Sequence, residues 1–166
     1  MIVVLMGVMG SGKTAIGKRL ADLMSVDFID ADDHHPVANK EKMRSGQPLD
    51  DGDREPWLEI LNGRMRGWRD AGAGGVLACS ALKESYREVL RSGLPSEGVV
   101  FVLLDATQEL LAERLSRRRH EYMNNALLES QLATLERPQD ALVIMNDRAP
   151  EDIARDILRG IEARVP

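Results

Sequence analysis

Five short, predominantly apolar runs are spaced along the chain, at Ile2 to Met6, Val26 to Ile29, Gly75 to Cys79, Val99 to Leu104 and Leu142 to Met145. Their length and composition are those of strands buried on both faces. The intervening segments carry apolar residues three and four positions apart, as at Ile16, Leu20 and Leu23, at Trp57, Leu58 and Leu61, and at Leu111 and Leu115. That spacing places them on one side of an amphipathic helix. Regular alternation of strand and helix predicts an α/β fold, a five-stranded parallel sheet with helices on both faces.

Two stretches depart from this alternation. Asp30 to Gly72 holds two helical segments between the second and third strands, separated by the turn-rich Ser45 to Asp53. Arg117 to Asn125 is polar and interrupts the helical pattern between the fourth and fifth strands. Ligands of open α/β sheets bind beyond the carboxyl ends of the strands, so both stretches are expected to cover a ligand edge. They are read as a substrate-binding segment of about residues 30–72 and a lid of about residues 117–125.

At 166 residues the chain is long enough for one buried core and too short for two ordinary domains, so a single domain over residues 1–166 is expected. Net charge is −5, so the overall field does not favour a phosphate backbone or an anionic membrane, and any anionic ligand must be held locally. Neither nucleic acid nor membrane is expected as a partner. The opening apolar run has no basic residues before it and is too short to span a bilayer, which makes it a strand rather than a leader. Cys79 is the sole cysteine; it excludes an internal disulfide and fits a reducing, cytoplasmic compartment.

The chemistry begins where the first strand ends. Gly7, Val8, Met9, Gly10, Ser11, Gly12, Lys13 and Thr14 fit G-x-x-x-x-G-K-[ST] at every fixed position. Glycines let successive N–H groups turn toward phosphate oxygens, and the helix that follows adds its positive end. Lys13 would then contact the β- and γ-phosphates of ATP, and the Thr14 hydroxyl would ligate Mg²⁺. The chain lacks the D-x-x-G and N-K-x-D signatures of a switch GTPase, since Asn39 to Lys42 reads "NKEK". A small-molecule kinase is the class that remains.

Acceptor chemistry is expected at the neighbouring strand ends. Asp30 and Asp32 would point the same way if the second strand continued, one supporting the metal and the other taking the proton of an attacking hydroxyl. Asp33 and Asp105 are read as helix-capping or structural residues. Ser80, Lys83 and Arg87 follow the third strand, and the two cations either share a helix face toward an anion or form a solvated face paired with Glu84 and Glu88. Arg114, Arg117 and Arg118 stand at i, i+3 and i+4 at the entrance to the polar interruption, where arginines of a lid could neutralise the phosphoryl group in transit. The three histidines are not at metal-ligand spacing with Cys79, so no zinc site is expected.

Taken together, these segments resemble the gluconokinase family of small phosphate-loop kinases, over nearly the whole chain. The densest match is His35 to Leu58, "HPVANKEKMRSGQPLDDGDREPWL", with further matches at Cys79 to Arg87 and Leu127 to Pro138. The resemblance implies a fold similar to adenylate and shikimate kinases and Mg²⁺- and ATP-dependent phosphorylation of the 6-hydroxyl of D-gluconate, in a cytoplasmic homodimer. It implies Asp32 as the base that orients and deprotonates the hydroxyl and Asp30 as metal support. Gly7, Gly10, Ser11, Gly12, Lys13, Thr14, Arg114 and Arg118 would bind ATP, with Lys13, Asp32 and Arg118 acting in catalysis. His35, Lys42, Arg54, Ser80, Lys83 and Arg87 would join Asp32 in the acceptor site. Family lids often read R-x-x-H-F-[MF], whereas this chain has Arg118, Arg119, His120, Glu121, Tyr122 and Met123, with the histidine one place early. A shikimate or adenylyl-sulfate kinase, and an ATP-binding regulatory protein without turnover, are the alternatives.

Overall fold

A computed structural model describes residues 1–117 and 125–164. Strands β1 (Ile2–Met6), β2 (Asp27–Asp30), β3 (Gly75–Ala78), β4 (Val99–Asp105) and β5 (Leu142–Met145) form one parallel sheet in the order β2-β3-β1-β4-β5. All five lie within a residue of the apolar runs, because a parallel strand covered on both faces must be apolar at consecutive positions.

Helices α1 (Lys13–Met24) and α7 (Pro150–Glu162) cover one face, packing Ile16, Leu20, Ile153 and Ile157 against Val3, Leu5 and Val102. On the other face α3 (Asp51–Asp70) and α4 (Glu84–Arg91) bury Trp57, Leu58, Leu61, Met65 and Leu90 against Val4, Met6 and Leu77. Truncating one of these fully buried leucines to alanine is worth about 2–5 kcal/mol. A third, smaller cluster joins α5 (Gln108–Ser116) and α6 (Asn125–Thr134) to the turn after β1, through Val8, Met9, Leu111, Leu115 and Leu128.

Several local expectations shift. Between β2 and β3 lie α2 (Val37–Arg44) and α3, but α3 already starts at Asp51, inside the expected turn. Asp50 accepts from the Asp53 N–H at 2.8 Å while Asp53 accepts from the Asp50 N–H at 2.9 Å, a capping box that moves the helix start earlier. Leu23 is exposed rather than in the core. Asp33 caps nothing, since α2 has no side-chain cap, and α5 is capped by Thr107 rather than Asp105. Asp105 instead bonds the Ala106 N–H and pairs with Arg137 at 2.5 Å.

Candidate active site

The carboxyl ends of β2, β3 and β1 lie side by side, with Asp30 opposite Ala78 and Leu5 also opposite Ala78. Neighbouring connections diverge around β1, which is where open α/β sheets leave a crevice. The phosphate loop closes one side of it. Gly7, Gly10 and Gly12 take φ values of 144°, 77° and 87°, a region that L side chains rarely enter. The Ser11 hydroxyl fills the space a Gly7 Cβ would need, 2.9 Å away, and a Gly12 Cβ would stand 2.6 Å from the Asn146 side-chain nitrogen. Lys13 folds its ammonium back onto the Gly7 and Val8 carbonyls at 3.0 and 3.1 Å.

Three residues from distant segments hold the loop. The buried Asn146, just past β5, donates to the Ser11 carbonyl at 2.6 Å and anchors its own N–H on the Asp105 carbonyl at 2.7 Å. Arg114 on α5 donates to the Asn146 carbonyl at 2.8 Å and reaches the Gly10 carbonyl at 3.5 Å. Gln131 on α6 accepts from the Met9 N–H at 2.7 Å. Asn146 and Gln131 escape sequence reasoning because each acts on main-chain atoms more than a hundred positions away, and no local pattern marks such a contact.

Beside the loop, the Thr14 hydroxyl donates to Asp30 at 2.6 Å. A hydroxyl and a carboxylate together at a phosphate loop are a hard-oxygen pair that suits Mg²⁺, which takes one or two protein oxygens and completes its shell with phosphates and water. The strand does not continue to Asp32. Residues Ala31–His34 form a short 3₁₀ turn, capped by Asp30 accepting the Asp32 N–H at 3.1 Å. Trp57 of α3 holds that turn by donating to the Ala31 carbonyl at 2.8 Å. Asp32 opens into the crevice, yet the surrounding protein displaces enough bulk water to raise its pKa above the ordinary carboxylate value; Asp30 adds repulsion and Lys13 opposes it.

His35 stacks on Trp57 with ring centroids 4.2 Å apart and its side chain 7% exposed. Burial, with Arg54 and Lys40 adding positive charge, pushes its pKa down to about 4, so it is neutral at physiological pH. Nδ1 faces the Asn39 amide nitrogen at 3.4 Å and so acts as acceptor, leaving Nε2–H toward Asp32 at 4.0 Å.

A cavity of about 790 Å³ adjoins the loop, walled by the start of α3 (Asp51, Arg54), the β3–α4 turn (Ser80, Lys83), Tyr86 of α4 and α6 (Ser130, Gln131). Lys83 binds both Asp51 oxygens at 3.0 and 2.9 Å, Tyr86 donates to Asp51, and Arg54 donates to the Tyr86 hydroxyl at 3.3 Å. Asp51 is held below the ordinary carboxylate range by Tyr86 and then Lys83, while Asp51 holds Lys83 up. Ala81, buried at the turn, has φ 44°, a strained conformation that aims Ser80 and Lys83 at the cavity from either side.

Four expected acceptor residues do not line this cavity: Asp32 and His35 stand at the turn after β2, and Arg87 and Lys42 are committed to other partners. Arg87 is 1% exposed and committed to the Ala81 and Leu82 carbonyls at 2.9 and 3.2 Å and to Glu84 at 2.6 Å. Lys83 precedes α4 instead of lying on its first turn, so the two cations do not share a face. Lys42 is tied to Asp53 and Asp50 and braces α2 on α3, and it does not line the cavity. Arg117 pairs outward with Glu113 at 2.5 Å. Arg118 and residues 118–124 of the expected lid lie outside the described residues.

Comparison with known proteins agrees with this architecture. The shikimate kinase family model matches residues 9–162. Thermosensitive gluconokinase of Escherichia coli is 48% identical over 82% of this chain and 72% of its own length, and the gluconokinase of Gluconobacter oxydans is 44% identical over 96% and 90%. A crystal structure of a gluconokinase from Sinorhizobium meliloti superposes with a TM-score of 0.86 at 38% identity, covering 97% of this chain and 91% of that one. Shikimate kinase from Acinetobacter baumannii, at 18% identity and a TM-score of 0.63, shares the fold. With relatives this similar over nearly its full length, and with the phosphate loop and five-stranded sheet in place, the chain belongs to the gluconokinase family of phosphate-loop kinases.

Proposed function

We propose that this protein transfers the γ-phosphoryl group of ATP to the 6-hydroxyl of D-gluconate, giving 6-phospho-D-gluconate and ADP. The observation that carries the reading is the adjacency of a glycine-shaped phosphate loop to a cavity of about 790 Å³ lined by Arg54 and Lys83. One side suits a triphosphate and the other a small anion. That relatives are named gluconokinases supports gluconate as this anion.

In this reading the N–H groups between Gly7 and Thr14, with Lys13, hold the phosphates, and Arg114 braces the rim. Thr14 and Asp30 would hold Mg²⁺, which would supply neutralisation of phosphate charge. Asp32 accepts the proton of the 6-hydroxyl as that oxygen bonds to the γ-phosphorus and the bond to the β–γ bridging oxygen breaks, releasing ADP. Because the Asp32 pKa is raised, turnover falls as pH is lowered through it. His35 directs its Nε2–H at Asp32 and orients the base. Arg54, Lys83 and Ser80 grip the acceptor, while Lys42 and Arg87 support the walls. Arg118, in the expected lid of about residues 117–125, would neutralise the phosphoryl group in transit. The segment of about residues 30–72 completes a single-domain enzyme that works as a cytoplasmic homodimer.

The test is Mg²⁺-dependent ADP release with gluconate, shikimate, adenylyl sulfate and nucleoside monophosphates in parallel, against a control without acceptor. Release with gluconate alone is expected. Release with another acceptor, or with none, overturns the proposal.

A further inference from the structure

The motif Leu127 to Pro138 has no role in the chemistry above, yet it forms a wall that touches both halves of the site. Ser130, Gln131 and Thr134 of α6 face the acceptor cavity, and Gln131 also reaches the phosphate loop through the Met9 N–H. A main-chain N–H can only donate, so the contact fixes the amide: Oε1 points at the loop and Nε2, with two hydrogens, points away from it. Among the described residues nothing accepts from Nε2.

The position of α6 is set from beyond its end. Glu136 donates its N–H to the Leu82 carbonyl at 2.8 Å and accepts from the Glu84 N–H at 2.6 Å, and Arg137 pairs with Asp105 at 2.5 Å. The end of α6 is thus anchored to both the acceptor turn and the tip of β4, which limits the rearrangement of Gln131 needed on binding.

We propose that Gln131 is a specificity-determining residue that contacts both substrates' sites, with Oε1 tethering the phosphate loop at Met9 and Nε2 donating to an oxygen of the acceptor. The inference rests on the acceptor class proposed above, a polyhydroxy carboxylate. Arg54 and Lys83 on the opposite walls answer its carboxylate charge. A neutral donor on α6 answers a hydroxyl oxygen, and a carboxylate there would leave that oxygen facing an anion. An acceptor without a hydroxyl at that place would leave Nε2 without that partner, which disfavours it.

The experiment compares the unaltered enzyme with Gln131→Glu and Gln131→Leu, measuring the ATP Kd by titration without acceptor and the gluconate KM and kcat by ADP release. Gln131→Glu keeps an oxygen for Met9 and loses the donor; the expected result is an ATP Kd within about threefold and a gluconate KM raised about tenfold or more. Gln131→Leu loses both contacts, so the ATP Kd is expected to weaken about three- to tenfold and the gluconate KM to rise about tenfold. A gluconate KM within twofold in Gln131→Leu overturns the acceptor contact. An unchanged ATP Kd in that variant overturns the tether. A KM increase confined to Gln131→Glu reports the added charge and likewise overturns the donor role. Absence of ADP release with gluconate from the unaltered enzyme overturns the proposed function and the acceptor contact together, while the ATP titrations still decide the tether.

Discussion

The phosphate loop offers main-chain N–H groups held in shape by three glycines at positive φ, whereas the cavity beside it offers charged side chains already bonded within the protein, Lys83 to Asp51 and Arg54 to the Tyr86 hydroxyl. The main chain of the loop is already shaped for a phosphate, prescribed by backbone sterics and by Asn146 and Arg114 behind it, and only Lys13 must turn away from the Gly7 and Val8 carbonyls. The cavity must exchange internal partners for substrate oxygens, and that exchange gives selectivity, since an acceptor that cannot replace Asp51 at Lys83 leaves the original pair intact. A generic ligand part is thus met by backbone and a distinguishing part by side chains.

The sharpest way to separate the two regions is to remove chemistry without removing either binding surface. Asp32→Asn should lower kcat about 100-fold or more while the ATP Kd stays within a few-fold, read by ADP release and nucleotide titration. A turnover close to normal would take Asp32 out of the proton-transfer role.

The next effect tests the scaffold on which Asp32 stands. His35 remains neutral in the folded chain down to about pH 4, while in the unfolded chain it protonates near 6.5. The unfolded state therefore binds more protons in that window, and stability should fall as pH drops from about 6.5 toward 4, by up to about 3 kcal/mol from this group. Denaturant melts at several pH values should show it, and His35→Gln should flatten the dependence over that window.

On the loop side, Asn146→Ala removes the amide that bonds the Ser11 carbonyl, at a residue only 3% exposed. A loss of about 2 kcal/mol in urea denaturation is expected, with weaker ATP binding. The smallest effect belongs to the cavity: Lys83→Met should raise the gluconate KM about tenfold and leave the ATP Kd unchanged. Equal weakening for both substrates would mean that the two regions do not divide the work as described.

Much of the fold was legible because it depends on short-range periodicity. Strands such as Ile2–Met6 are covered on both faces and so are apolar at every position, and the phosphate loop is written in consecutive residues. The acceptor site was legible only in part. Arg54, Ser80 and Lys83 do line the cavity, but Arg87 turns inward because the Ala81 turn leaves two carbonyls within its reach, and Lys42 is captured by the capping box of α3. The start of α3 at Asp51 was misplaced for the same reason, since a turn-rich stretch of aspartates also satisfies a helix N-terminus.

What this chain's sequence determined by itself is the parallel α/β sheet, the phosphate loop at the end of β1, and the chemical types gathered near it. These follow from sterics and hydrophobic periodicity within a few residues of each position. Only the tertiary structure decided which ions face the cavity, that Asp32 sits on a turn held by Trp57, and that Asn146 and Gln131 grip the loop. Those outcomes depend on contacts between segments far apart in the chain, where a polar group takes whichever partner the packing brings within about 3 Å.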